Sequence, residues 1–320
     1  MIGPAPGGNQ PAELSPYPPR PVPWGGLLAR VRASVGLRRL IPTGPALIAT
    51  DLLSGLSLRI SRRRLAHAVT LVEPVVANTP AEADITVVAR RFVAARARGW
   101  ELTWRAWELE RIPIRGVGTL RAARDAGRGV IISHTHLGPF AAWLPLGREL
   151  QPLLFPQGDW LTDDPQPGYN GYQVEHWRRI YQDAGVTLMH NVGSAPRAHR
   201  LLRAGGAVLI SMDVPGARRT VFLGKPVDLD DGTAHLAVKT DALVLPATLI
   251  PEGRRWEIHI GDALDPRDFA GPDELHLELA RIHEEPILRH PEHMEPPARW
   301  LWGSVGRGGW HKRPSPDGAL

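Results

Sequence analysis

Gly129-Val-Ile-Ile-Ser-His-Thr-His-Leu-Gly-Pro-Phe-Ala-Ala-Trp143 is the stretch on which the reading of the chain turns. Val130, Ile131 and Ile132 form an unbroken β-branched run, the mark of a strand buried on both faces, and the run stops at Ser133. Gly138 and Pro139 then open a segment rich in Ala, Leu and Trp that reads as a helix to Leu150, because Pro is accepted as a first helical residue. His134 and His136 therefore fall on a strand-to-helix turn. In open α/β sheets ligands bind beyond the carboxyl ends of the strands, so this turn is the first place to look for chemistry. An imidazole with an ordinary pKa of about 6.5 can act there as a general base. The competing reading is that one of the histidines simply hydrogen-bonds the turn.

Working outward, the pattern alternates. Leu153 to Phe155 reads as a strand, Tyr169 to Ala184 as a helix, Val186 to Met189 as a strand and Ala195 to Ala204 as a basic helix. Ala207 to Met212 is a second apolar strand, closed by Asp213, and Ala242 to Ala247 a third. Asp231 to Ala237 reads as a turn running into a helix. Strands alternating with helices predict an α/β domain with a mostly parallel central sheet flanked by helices. Asp213, like the histidines, is then expected at a strand's carboxyl end.

On the amino-terminal side, Thr79-Pro80-Ala81-Glu82 combines capping-box spacing with Pro at the first helical position. The helix it opens runs towards Trp107, with Gly99 as a candidate break and Pro113 as the end. Trp24 to Leu40 is an N-terminal helical segment in which Leu27, Leu28, Val31 and Val35 fall at helical spacing among arginines. It fits a helix docked on its own domain or an interfacial helix on anionic lipid. Residues 1–23 contain eight prolines and read as a disordered tail. One domain is expected over 24–305, with a flexible tail over 306–320.

The 320 residues contain no cysteine, which excludes disulfides, thiolate metal sites and a Cys nucleophile. Net charge is +5, and the arginine-rich first 130 residues suit an acidic partner such as a phosphate, a carrier protein or an anionic membrane. Nucleic acid is not among the expected partners. The best candidate for a membrane span, Ala46 to Leu58, is shorter than the roughly 18–20 apolar residues required and includes Asp51. A cytoplasmic protein is expected, touching the inner face of the cell membrane peripherally.

The ordered set of motifs resembles a family. His136-Leu137-Gly138, Arg197-Ala198 through Gly205-Gly206, the strand to Asp213, Phe222-Leu223-Gly224-Lys225-Pro226, Gly232-Thr233-Ala234-His235-Leu236-Ala237 and Ala242 to Pro246 are similar to blocks of the bacterial lipid A lauroyl and phosphatidylinositol mannoside acyltransferases. These belong to the lysophospholipid acyltransferase superfamily. Pro291-Glu292 and Trp300-Leu301-Trp302 extend the likeness, which spans roughly residues 60–305. The resemblance implies a glycerolipid-acyltransferase-like fold with His136 as catalytic base and His134 beside it. It also implies Ser133, Gly138, Asp213, Lys225 and Gly232 as site-lining or substrate-binding residues. The co-substrate would be an acyl carrier protein or coenzyme A thioester, with no bound cofactor.

One feature of the family pattern is missing. The family places Asp or Glu five residues after the histidine, where it orients the imidazole and stabilises the imidazolium. Counting from His136 gives Ala141, and from His134, Pro139. Three readings follow. An acyltransferase whose histidine lacks that acid suits an amine acceptor, already nucleophilic once neutral, so amide formation in specialised metabolism is expected; its counterpart acylates a glycolipid or phospholipid hydroxyl at the membrane surface. A catalytically inactive member would act as a binding module. A metal-dependent hydrolase would use His134-Thr135-His136 as a ligand pair, although Leu137, Gly138 and Pro139 supply no further ligand.

Overall fold

The computed structural model describes residues 26–77, 79–157, 168–190 and 193–294. The proline-rich tail, the C-terminal tail and Trp300-Leu301-Trp302 lie outside the described residues. Nine strands are found among them: β1 Ile114–Arg115, β2 Val130–His134, β3 Leu153–Gln157, β4 Val186–His190, β5 Ala207–Ser211, β6 Pro215–Phe222, β7 Lys225–Leu229, β8 Leu243–Glu252 and β9 Arg255–Ile260. Seven build the central sheet in the order β1-β9-β8-β2-β5-β3-β4. The strands β8, β2, β5, β3 and β4 run parallel, while β9 is antiparallel to β8 and carries β1 with it. The mostly parallel α/β expectation holds.

The longer helices are α1 Thr43–Ile60, α2 Arg62–Val76, α3 Ile85–Trp104, α4 Val117–Asp125, α5 Gly168–Asp183, α6 Ala195–Arg203, α7 Gly232–Thr240 and α8 Pro272–Arg289. They cover both faces of the sheet, which is why β2 is apolar without alternation. Val130 and Ile132 pack into a layer with Phe155, Trp177 and Tyr181. Ile131 points the other way, to Val208, Ala234 and Leu275. Each such fully buried side chain contributes about 1.5–3 kcal/mol relative to exposure, so the strand that presents the histidines is among the most firmly held parts of the fold.

Several local expectations are corrected. The segment after Pro139 is not one helix: a 3-10 turn, Phe140–Trp143, is followed by a short helix, Leu146–Glu149. Pro145 separates them, since its ring and missing N–H bar a continuous helical ladder. The segment from Trp24 is, where described, two short helices, Leu27–Arg32 and Val35–Arg39. Ser34 makes the break, its hydroxyl accepting from the Leu37 N–H at 3.3 Å as a new N-cap. Thr79 caps a 3-10 turn, Pro80–Asp84, rather than the α-helix directly. Gly99 does not break α3. It lies buried against Pro139, bringing the helix close to the histidine turn. The β6–β7 hairpin, β9 and α8 were not anticipated from the sequence.

Candidate active site

The parallel register between β2 and β5 builds the site. Val130 pairs with Ala207 and His134 with Ser211, a constant offset of 77 residues, and the Met212 N–H donates to the His134 carbonyl at 2.8 Å, carrying the pairing past the strand ends. Two residues further on, the same offset sets His136 beside Asp213. The His136 Nδ1 lies 2.8 Å from Asp213 Oδ1, and the His136 backbone N–H donates to Oδ2 at 2.9 Å. One carboxylate thus grips both the ring and the backbone of the histidine.

Asp213 is fully buried, while the His136 side chain keeps 21% of its exposure. Burial pushes the Asp213 carboxyl up, but the charge of His136 and its two hydrogen bonds outweigh burial and hold the carboxyl below its ordinary value. An ionised carboxylate only accepts, so Nδ1 carries the proton and Nε2 is the basic nitrogen. A carboxylate thus stands behind the His136 ring, reached from the end of the neighbouring strand rather than from position 141. Ala141 itself is fully buried in the apolar layer with Leu102 and Trp143.

His134 plays a different part. Its ring is buried against Trp143 and Phe155 at centroid separations of 4.7 and 5.6 Å. Nδ1–H donates to the Thr135 carbonyl at 3.1 Å, so Nε2 accepts from the Ser211 hydroxyl, also at 3.1 Å. Burial, with the charge of His136, lowers its pKa to about 3. Both ring nitrogens are occupied, which ill suits it to share a metal ion with His136. It is the hydrogen-bonding histidine of the turn.

Ser133 faces the other side of β2, its Oγ 3.0 Å from Nε2 of His283 on α8. His283 is fully buried and its pKa is lowered to about 4, mainly by burial. It was missed in the sequence, although His276, Leu279, Ala280, His283 and Ile287 form one buried helical face that helical spacing would have shown. Gly138 is held by the 3-10 turn Pro291–His293. Its N–H donates to the His293 carbonyl at 2.8 Å, and Leu137 bridges Met294. Gly138 has φ +88°, and a Cβ there would stand 2.8 Å from the Trp256 ring, so both backbone and space require glycine. The Gly138 and His136 N–H groups are thus both engaged within the protein. A void of about 10 Å³ beside Gly138 and Pro139 has room for no more than a water.

The structure brings His134, His136 and Asp213 together; Lys225 and Gly232 make their contacts elsewhere. Lys225 donates from Nζ to the Pro74 carbonyl at 2.8 Å, near the C-terminus of α2 where helical carbonyls lack intrahelical donors. Burial lowers its pKa, opposed by Glu82 and Glu73. The Gly232 N–H donates to Asp230 Oδ1 at 3.2 Å. The Asp230 N–H in turn donates to the carbonyl of Val214, the neighbour of Asp213, at 2.9 Å. This second link was also missed.

No family model matches the chain, and no curated protein matches it. Among solved structures it is similar to the crystal structure of the 1-acyl-sn-glycerophosphate (LPA) acyltransferase PlsC from Thermotoga maritima, with 14% identity over 76% of this chain and 95% of that chain and a TM-score of 0.39.

Proposed function

We propose that the protein is an acyltransferase that moves an acyl group from an acyl carrier protein or coenzyme A thioester to a hydroxyl of an amphiphile at a membrane surface. The observation that carries this reading is the grip of buried Asp213 on His136, joined to the ordered motifs that resemble the acyltransferase family. Nε2 removes the acceptor's proton as its oxygen attacks the thioester carbonyl. The tetrahedral intermediate collapses with loss of thiolate, and the imidazolium returns the proton to sulfur. Asp213 fixes the tautomer and offsets the charge on the imidazolium. The expectation of an amine acceptor rested on a histidine without a carboxylate. With Asp213 in place, that ground for preferring an amine over an alcohol is gone.

The surface of α1 supports the membrane part. Leu47, Ser54 and Leu58 face inward, yet Ile48, Leu52, Leu53, Leu56 and Ile60 are exposed on its other side, Leu52 at 70% and Ile60 at 76%. A helix apolar on both sides needs an apolar neighbour on each. No helix among the described residues is long and apolar enough to cross a membrane, so a peripheral arrangement at the inner face of the cytoplasmic membrane fits. The test offers the protein acyl thioesters with matched long-chain alcohol and amine acceptors and reads the products by mass spectrometry. Ester should exceed amide. Amide as the main product would reject the hydroxyl reading, and no transfer across a broad thioester panel would favour a non-catalytic binding module.

A further inference from the structure

We infer that the groove where the end of α1 meets α2 and α3 is a binding site for the headgroup of an anionic phospholipid. The groove is open to solvent and has a volume of about 480 Å³, within the range of about 300–1,000 Å³ common for small-molecule sites. Leu58, Leu65 and Val69 supply apolar lining, and Arg59, Arg62 and Arg90 supply the charge. A single residue, Ser61, joins α1 to α2. Its hydroxyl accepts from the Arg64 N–H at 3.3 Å, and this tight joint sets Arg59 and Arg62 on the same groove.

Among the described residues the charge in the groove is not answered. Nearby arginines are paired, Arg98 with Asp51 and Arg38 and Arg105 with Glu101. No carboxylate among the described residues pairs with Arg59, Arg62 or Arg90. Guanidinium forks match the paired oxygens of a phosphodiester, and the apolar lining suits the glycerol ester and first chain carbons beside it. The groove also continues the exposed apolar side of α1. Ile48, Leu52 and Leu56 recur at four-residue spacing along one stripe, and Arg59 follows one turn later. An amphiphile whose chains lie along the stripe therefore has its phosphate at the arginines. An acidic protein partner fits less well, since a stable complex needs about 800 Å² from each side and its charges would have to cover exposed leucines. The inference rests on the membrane-surface reading only for the source of the lipid.

Calorimetric titration of the full chain with dihexanoylphosphatidylglycerol, kept monomeric below its micellar concentration, separates the two. Saturable one-to-one binding is expected, about tenfold tighter than dihexanoylphosphatidylcholine or inorganic phosphate. Arg62→Gln and Arg90→Gln should each weaken it by about fivefold or more, whereas Arg63→Gln and Arg91→Gln, exposed and outside the groove, should change it by less than about twofold. Thermal unfolding checks that all four variants fold. Equal losses at all four arginines would reduce the groove to a diffuse field, and phosphate binding as tightly as the lipid would make it a simple anion site. Displacement of the lipid by an acidic carrier protein sensitive to the same two arginines would reassign it to protein. Absent short-chain binding with vesicle binding retained would overturn the groove and leave the membrane reading intact. Short-chain binding with no vesicle binding would do the reverse.

Discussion

At the scale of single residues, the division of labour between two neighbouring histidines is the main result. His136 has a carboxylate behind Nδ1, whereas His134 has both nitrogens occupied and a pKa lowered to about 3 by burial. His136→Asn, whose amide keeps an N–H donor for the buried Asp213 carboxylate, should therefore reduce turnover by about 100-fold or more with little effect on unfolding, and Asp213→Asn should lose a comparable factor through kcat. His134→Gln should act mainly on stability. Steady-state rates alongside denaturant unfolding separate these outcomes, and equal loss of turnover at His134 and His136 would contradict the assignment. The same scale shows why the sequence named His136 and Asp213 as site residues but not as partners. A fixed short spacing leads to Ala141, but that methyl group sits in the sealed apolar layer. Ala141→Asp should consequently destabilise the protein by about 3 kcal/mol or more, as an unpaired buried charge does, without gaining activity. Chemical denaturation reads the loss directly; an active, stable Ala141→Asp variant would refute the placement.

At the scale of elements, what was legible follows from how far each signal reaches. The runs Val130–Ile132 and Ala207–Leu209 announced strands because a strand covered on both faces needs no alternation. The ends of helices were less legible, since Ser34 and Pro145 act through caps and ring sterics that one residue decides. The β6–β7 hairpin was hidden for a related reason. Its turn runs through Leu223 at φ +52° and Gly224 at φ +70°, and leucine at positive φ gives no turn signal. Leu223 is instead kept there by burial and by its N–H donating to Glu284. The outward side of α1 was legible as apolarity but not as exposure, because only the packing shows which side is left uncovered. Leu52→Asp with Leu56→Asp should weaken vesicle binding by about tenfold or more while leaving the unfolding midpoint nearly unchanged, since both side chains are already solvated. Sedimentation with anionic vesicles is the measurement, and unaltered binding would move the membrane contact elsewhere.

At the scale of the whole molecule, the fold carries several buried neutral histidines, and stability should register them together. His134 and His293 have pKa values lowered to about 3 and His283 to about 4, each chiefly by burial. Unfolded, each would take up a proton near pH 6.5, so below that pH the unfolded chain binds more protons and stability falls. The decline sets in below about pH 6.5 and runs to about pH 4 for His283 and to about pH 3 for His134 and His293, with a slope approaching about 1.4 kcal/mol per pH unit for each histidine. Urea midpoints measured from pH 7 to pH 5 test this, and a flat profile would mean that the histidines are protonated in the folded state. The global layout was legible from alternation alone, whereas the antiparallel strand β9, held between β8 and the edge strand β1, depends on contacts across the molecule. The strand register has a last consequence, for biosynthesis. Asp213 is translated 77 residues after His136, a delay of roughly 4–15 s at ordinary elongation rates. Until β5 has left the ribosome and closed against β2, the nascent chain holds a histidine with no acid behind it, so the pair on which the proposed chemistry rests exists only once the central sheet has been assembled.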